Sequence, residues 1–205
     1  MNAAPTISAA TTGLPRLWLI RHGETEWSAA GRHTGRTDIA LTAAGEQAAR
    51  GLAPMLARQP FARVFTSPLQ RARRTCELAG FAARAETDVD LLEWDYGAYE
   101  GRRALDIGAE RPGWELFRDG CPDGETLVQV AERARGFIAR VRALDADVLA
   151  FSSGHLLRVL AACWGNLDPA AARVLYLDTT ALAVLGYHHD RQDPVLRLWN
   201  ETSFT

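Results

Sequence analysis

Cysteine is scarce. Only Cys76, Cys121 and Cys163 occur in 205 residues. Their number is odd and no pair has CxxC spacing, so neither a disulfide framework nor a zinc motif is suggested, and a reducing, cytoplasmic compartment is the expectation. No apolar run approaches the roughly 18 residues of a membrane span. Neither sign of charge is in excess, with 23 basic and 25 acidic side chains giving a net charge of -2. Nothing global therefore draws the chain to nucleic acid or an anionic membrane, and any anionic ligand must be held by local cations. Repeats and linkers are missing too. The opening stretch, Met1 to Pro15, is rich in Ala, Thr and Ser; lacking a basic start and an apolar block, it reads as a disordered leader, not a signal peptide. What is plentiful is apolar residues, 47% of the chain, enough for the core of a single α/β domain over 16–205.

Strand and helix signals alternate along that domain. Arg16 to Ile20 is almost wholly apolar after its first residue, as in a strand buried on both faces. Thr42 is placed to cap a helix carrying Ala44, Ala48, Leu52 and Leu56, with Pro54 kinking or ending it. Arg63–Thr66 reads as a second strand; Ser67 then reads as an N-cap, Pro68 as the first helical position and Gly80 as the stop. Leu127, Val130, Ala131, Ala134, Ile138 and Val141 share one face of a long helix. Asp147–Phe151 reads as a buried strand feeding a helix from about His155 to Trp164, and Ala181–Tyr187 and Val195–Trp199 close the pattern. Such alternation predicts a three-layer α/β sandwich, a mostly parallel sheet covered by helices on both faces. His188 and His189 are adjacent, would face opposite sides of a strand, and suggest no metal site.

In such sheets ligands sit beyond the carboxyl ends of the strands. Three segments fall at those ends: Arg21-His22-Gly23, Ser67 to Arg71, and Ser152-Ser153-Gly154-His155. A neutral imidazole nitrogen is a competent nucleophile toward phosphorus, and Gly23 lets the backbone approach a ligand closely. A phosphoryl group in transfer needs cations and N–H donors aimed at its equatorial oxygens; Arg21 and Arg71 offer guanidinium forks. Glu93, in Leu91-Leu92-Glu93-Trp94, is the candidate proton donor to the leaving oxygen.

Arg21-His22-Gly23-Glu24-Thr25 resembles the signature of the histidine phosphatase superfamily, which includes the cofactor-dependent phosphoglycerate mutases. Further blocks are similar to that family in the same order: Thr34-Gly35-Arg36-Thr37-Asp38 with Leu41-Thr42 and Gly45-Glu46; Thr66-Ser67-Pro68-Leu69 with Arg71-Ala72 and Thr75; Glu93-Trp94-Asp95-Tyr96-Gly97; Asp123-Gly124-Glu125-Thr126; and Trp199-Asn200-Glu201-Thr202. The first block and Trp114 to Thr126 look closest to sugar-phosphate phosphatases of the sedoheptulose-bisphosphatase kind. The resemblance implies a phosphoglycerate mutase-like fold with His22 as the phosphorylated nucleophile. Arg21 and Arg71 would grip the phosphate, Glu93 would be acid and then base, and Ser28, Thr34 and Gly35 would lie in the phosphate pocket. It implies a small phosphorylated metabolite as substrate, with no metal and no dissociable cofactor. Oligomeric state is left open, a homodimer included.

One departure stands out. The family usually carries His-Gly-x-x-x-Arg at the later strand end; counting back from Arg158, that place holds Ser153, followed by Gly154 and His155. Ser153 would then donate a neutral hydrogen bond in place of the histidine, His155 would swing in, or the chain would be impaired. Three readings follow: a phosphatase of a sugar mono- or bisphosphate, possessing adapted or reduced catalysis; a mutase; and a phospholigand-binding pseudo-phosphatase. A small cap insert at about 102–125 would set substrate choice, with Arg102, Arg103, Arg111 and Arg118 either reading a second anionic group or lying solvated at the surface.

Overall fold

A computed structural model describes residues 13–203. The leader expected over 1–15 falls, for residues 1–12, outside the described residues. The strands are β1 (Leu17–Arg21), β2 (Arg63–Thr66), β3 (Ala85–Thr87), β4 (Val148–Ser152), β5 (Leu182–Tyr187) and β6 (Pro194–Glu201). The helices are α1 (Glu26–Ala29), α2 (Ala43–Gly51), α3 (Ala53–Leu56), α4 (Gln70–Leu78), α5 (Ala104–Glu110), α6 (Leu116–Asp119), α7 (Leu127–Ala143) and α8 (Gly154–Trp164). One sheet orders the strands β3-β2-β4-β1-β5-β6. Its first four are parallel, β5 is antiparallel to β1, and β6 is antiparallel to β5.

Alternation along the strands builds the three layers. Leu17 and Leu19, Val148 and Ala150, and Ala183 and Leu185 face one core with the buried residues of α7 and α8. Trp18 and Ile20, Leu149 and Phe151, and Leu182 and Val184 face the other, with Leu52, Leu56, Phe61 and Cys76. Because both faces are covered, β1 and β4 show no polar alternation. Each fully buried side chain of this size contributes roughly 1.5–3 kcal/mol. Among the described residues no helix is long and apolar enough to cross a membrane.

Local signals account for most boundaries. Thr42 accepts from Gly45 N–H to cap α2, and Pro54 falls in the first turn of α3, where its missing N–H is harmless. Thr126 and Gln129 form a capping box on α7. Two expectations are corrected. Ser67 does not cap α4: that helix begins at Gln70 behind Leu69, without a side-chain cap. The N–H of Gln70 is instead taken by the carboxylate of Asp38, 2.7 Å away. His188 and His189 do not sit on opposite faces of a strand, since β5 ends at Tyr187 and both occupy the turn before β6.

Candidate active site

Register brings the sequence segments together. Arg21 pairs with Ser152, and Thr66 with Phe151, so His22, Ser67 and Ser153 leave the sheet at one edge. His22 is fixed there by its backbone: its N–H donates to Ser152 (2.8 Å), and its carbonyl, like that of Arg21, accepts from Thr180 N–H at 3.1 Å. Thr180 does this with φ of 62°, a strained conformation for a β-branched residue. Gly23 N–H donates to Thr75 Oγ1 (2.9 Å), whose hydroxyl donates to the Arg71 carbonyl (2.7 Å). The close approach Gly23 permits is to protein: a Cβ there would meet the Gly45 carbonyl oxygen at 2.6 Å.

The His22 ring is buried. Its Nδ1 lies 2.7 Å from the Gly23 carbonyl oxygen, which can only accept, so Nδ1 carries the proton and Nε2 the lone pair. Burial, then the neighbouring Arg71 and Arg21 guanidiniums, hold its pKa well below the ordinary imidazole value. Arg71 is fully buried, and Arg21 is half-buried at the floor of the site. Arg71 donates to the carbonyls of Thr34, Gly35 and Thr37 at 2.8–2.9 Å, and Arg21 to that of Leu177 at 2.6 Å. Both keep a buried Nε–H without a hydrogen-bond partner among the described residues, as does the Ser153 hydroxyl. Burial lowers both guanidinium pKa values, yet an arginine stays a cation.

Glu93 is buried beneath the N-terminus of α8. Its Oε1 accepts from the N–H groups of Trp94 (2.9 Å) and Leu156 (2.8 Å), and its Oε2 from that of His155 (2.9 Å). The first turn of α8 thus holds this carboxylate by backbone donors. From outside, Arg133 of α7 clamps the same loop, donating to the carbonyls of Asp90, Leu92 and Glu93 while pairing with Glu125.

A cleft of about 390 Å³ opens over these groups. Arg21, His22, Ser28, Thr34, Glu93, Gly154 and His155 line it, whereas Arg71, Gly35 and Ser153 do not. Ser28 spends its hydroxyl on α1, bonding Thr25 N–H and carbonyl, and Gly35 N–H is taken by Glu100 at 2.8 Å. No residue from 102–125 lines the cleft. Arg102, Arg103 and Arg118 instead pair with Glu110, Asp106 and Asp119, so the surface alternative describes these three arginines.

Of three further cleft groups, His33 carried no sequence signal, and Tyr96 and Arg158 stood in the sequence only as members of motifs. Tyr96, its pKa raised well above the usual phenol value by burial, stays protonated; its hydroxyl lies 2.5 Å from His155 Nδ1. The two groups share one hydrogen bond, its direction set by the His155 tautomer. His155 is held neutral by burial and then by Arg158. His33 packs its ring against Tyr96, Trp114 and His155, leaves a buried Nε2 without a partner among the described residues, and is pushed down to about 4 by burial. Arg158, marked only as part of a motif, lines the cleft and lies over the Phe117 ring.

Comparison with known proteins agrees with this geometry. A family model described as histidine phosphatase superfamily (branch 1) matches residues 17–202. An acid phosphatase of Mycobacterium tuberculosis is 38% identical over 190 residues, covering 89% of this chain and 92% of that protein. A sedoheptulose 1,7-bisphosphatase of Saccharomyces cerevisiae is 37% identical over 186 residues, covering 75% of this chain and 68% of its own length. A solved structure of an open reading frame of M. tuberculosis superposes with a TM-score of 0.85 at 34% identity, covering 91% of this chain and 97% of that one.

Proposed function

The chain belongs to the histidine phosphatase superfamily, and on that premise we propose that it hydrolyses a small phosphomonoester, a sugar phosphate or bisphosphate, through a phosphohistidine at His22. One observation carries the reading: a neutral, buried imidazole whose Nδ1 carries the proton stands beside Arg21 and Arg71, which with Ser153 keep three buried donor atoms without a partner among the described residues. Unpaired buried donors are costly, and the three oxygens of a phosphoryl group are acceptors of the kind these donors lack. His22 Nε2 attacks phosphorus, the P–O bond to the sugar breaks, and the departing oxygen takes a proton from Glu93. Water then attacks the phosphohistidine, yielding its proton to Glu93 and freeing the imidazole. On Glu93, Oε1 accepts two N–H bonds and Oε2 one, so Oε2 has the room for that proton.

Hydrolysis is favoured over transfer to a second hydroxyl because nothing from 102–125 lines the cleft, so water is not shut out by that segment. Ser153 in place of the usual histidine lowers the rate, since a neutral donor is about half as strong as a charged one. The test is phosphate release from a panel of sugar mono- and bisphosphates, with trapping of an acid-labile phosphoenzyme. His22→Ala is expected to remove turnover and trapping together, by at least about 10³-fold. Binding of the same sugar phosphates with no turnover in the unaltered chain would replace this reading by that of a binding protein.

A further inference from the structure

The turn between β5 and β6 carries two of the five histidines. Because β5 runs antiparallel to β1, this turn lies at the end of the sheet away from His22. The two rings are 3.8 Å apart, and their Nδ1 atoms lie 3.3 Å (His188) and 3.1 Å (His189) from the same Asp193 Oδ2. All three donor atoms fall within 4.8 Å of one another. Around a tetrahedral ion with bonds of about 2.0–2.1 Å, neighbouring donors are about 3.3 Å apart, so two edges of that tetrahedron are already set.

The turn is also braced. His188 N–H donates to the Asp193 carbonyl (2.9 Å), and Asp193 N–H to that of Asp190 (3.1 Å). Gln192 N–H occupies the Asp190 carboxylate (2.7 Å), and Arg191 pairs with Asp145. Asp193 is thereby left to the two imidazoles. Both rings are mostly exposed, so ligation costs little desolvation and leaves room for water.

We propose that His188 Nδ1, His189 Nδ1 and Asp193 Oδ2 form a surface site for a divalent transition-metal ion of the zinc class, with water as the remaining ligand. Two nitrogen donors select against magnesium and calcium, which take oxygen. Each imidazole keeps its proton on Nε2, any Nδ1 proton leaves to solvent, and no redox change occurs. The ion would tie the end of β5 to the start of β6, and it takes no part in chemistry at the cleft.

Zinc chloride titrated calorimetrically into the full, metal-free chain tests this, alongside the histidine ring resonances. The expected result is one ion per chain, a higher Tm, and shifts confined to His188 and His189. Uptake should be lost on acidification, since only unprotonated imidazole ligates. Asp193→Asn and His189→Ala should each weaken uptake by at least about tenfold, and magnesium should not compete. Absence of saturable uptake, uptake indifferent to both variants, or shifts at His22, His33 or His155 instead would each overturn the proposal. None of these outcomes depends on phosphate turnover.

Discussion

Ser153 is fully buried, and its hydroxyl has no partner among the described residues. Leaving such a group unsatisfied costs about 1–3 kcal/mol, a cost that makes sense where a ligand oxygen completes the bond. Ser153→Ala should therefore separate stability from activity. The Tm should hold or rise, since an unpaired hydroxyl is removed, while kcat/KM for phosphate release should fall about tenfold, the worth of one neutral hydrogen bond. Ser153→His should raise kcat by up to about 10²-fold, the effect of one oxyanion donor. An unchanged kcat/KM in Ser153→Ala would show that the hydroxyl never reaches the phosphate. The sequence makes this position visible only through its spacing from Arg158. It makes His33 invisible, because that residue has no spacing partner, and shows Tyr96 only as one member of a block; their rings acquire a role only once α8 brings His155 alongside.

At the scale of elements, the sheet and its long helices are legible because burial on both faces leaves unbroken apolar runs and a 3.6-residue stripe on α7. Two features escape. Strand β3 has three residues, and none of them is buried, so it shows no pattern. Ser67 has the chemistry of a cap, but the tertiary contact from Asp38 takes that role. Arg133 escapes for a similar reason: on the polar stripe of α7 it looks like any solvated arginine, yet it is largely buried and binds three carbonyls of the loop that carries Glu93. Arg133→Ala should cost about 3 kcal/mol in urea unfolding, as for a broken buried network. It should also lower kcat more than it raises KM, because the loop holding the carboxylate loosens while the arginines under the phosphate stay in place. A variant equally destabilised but with unaltered kcat would show that α7 supports the fold alone.

For the molecule as a whole, burying three imidazoles in one cleft ties stability to acidity. The pKa values of His22, His33 and His155 are all lowered in the folded chain, by burial first in each case. Unfolded, each would take up a proton near pH 6.5, so below that value the unfolded state binds more protons than the native one and stability falls with pH. No such contribution operates above it. For His33, with a folded pKa of about 4, the loss accumulates between pH 6.5 and 4 and reaches about 3 kcal/mol. His33→Phe keeps an aromatic ring against Tyr96 and Trp114 but cannot titrate. Urea midpoints measured from pH 7 to 4 should therefore fall less steeply in that variant than in the parent chain. Parallel slopes would mean that His33 is no less free to protonate in the fold than outside it. The same desolvation keeps the His22 lone pair available in weak acid, so turnover should persist below pH 6 and stop where the fold, not the nucleophile, gives way.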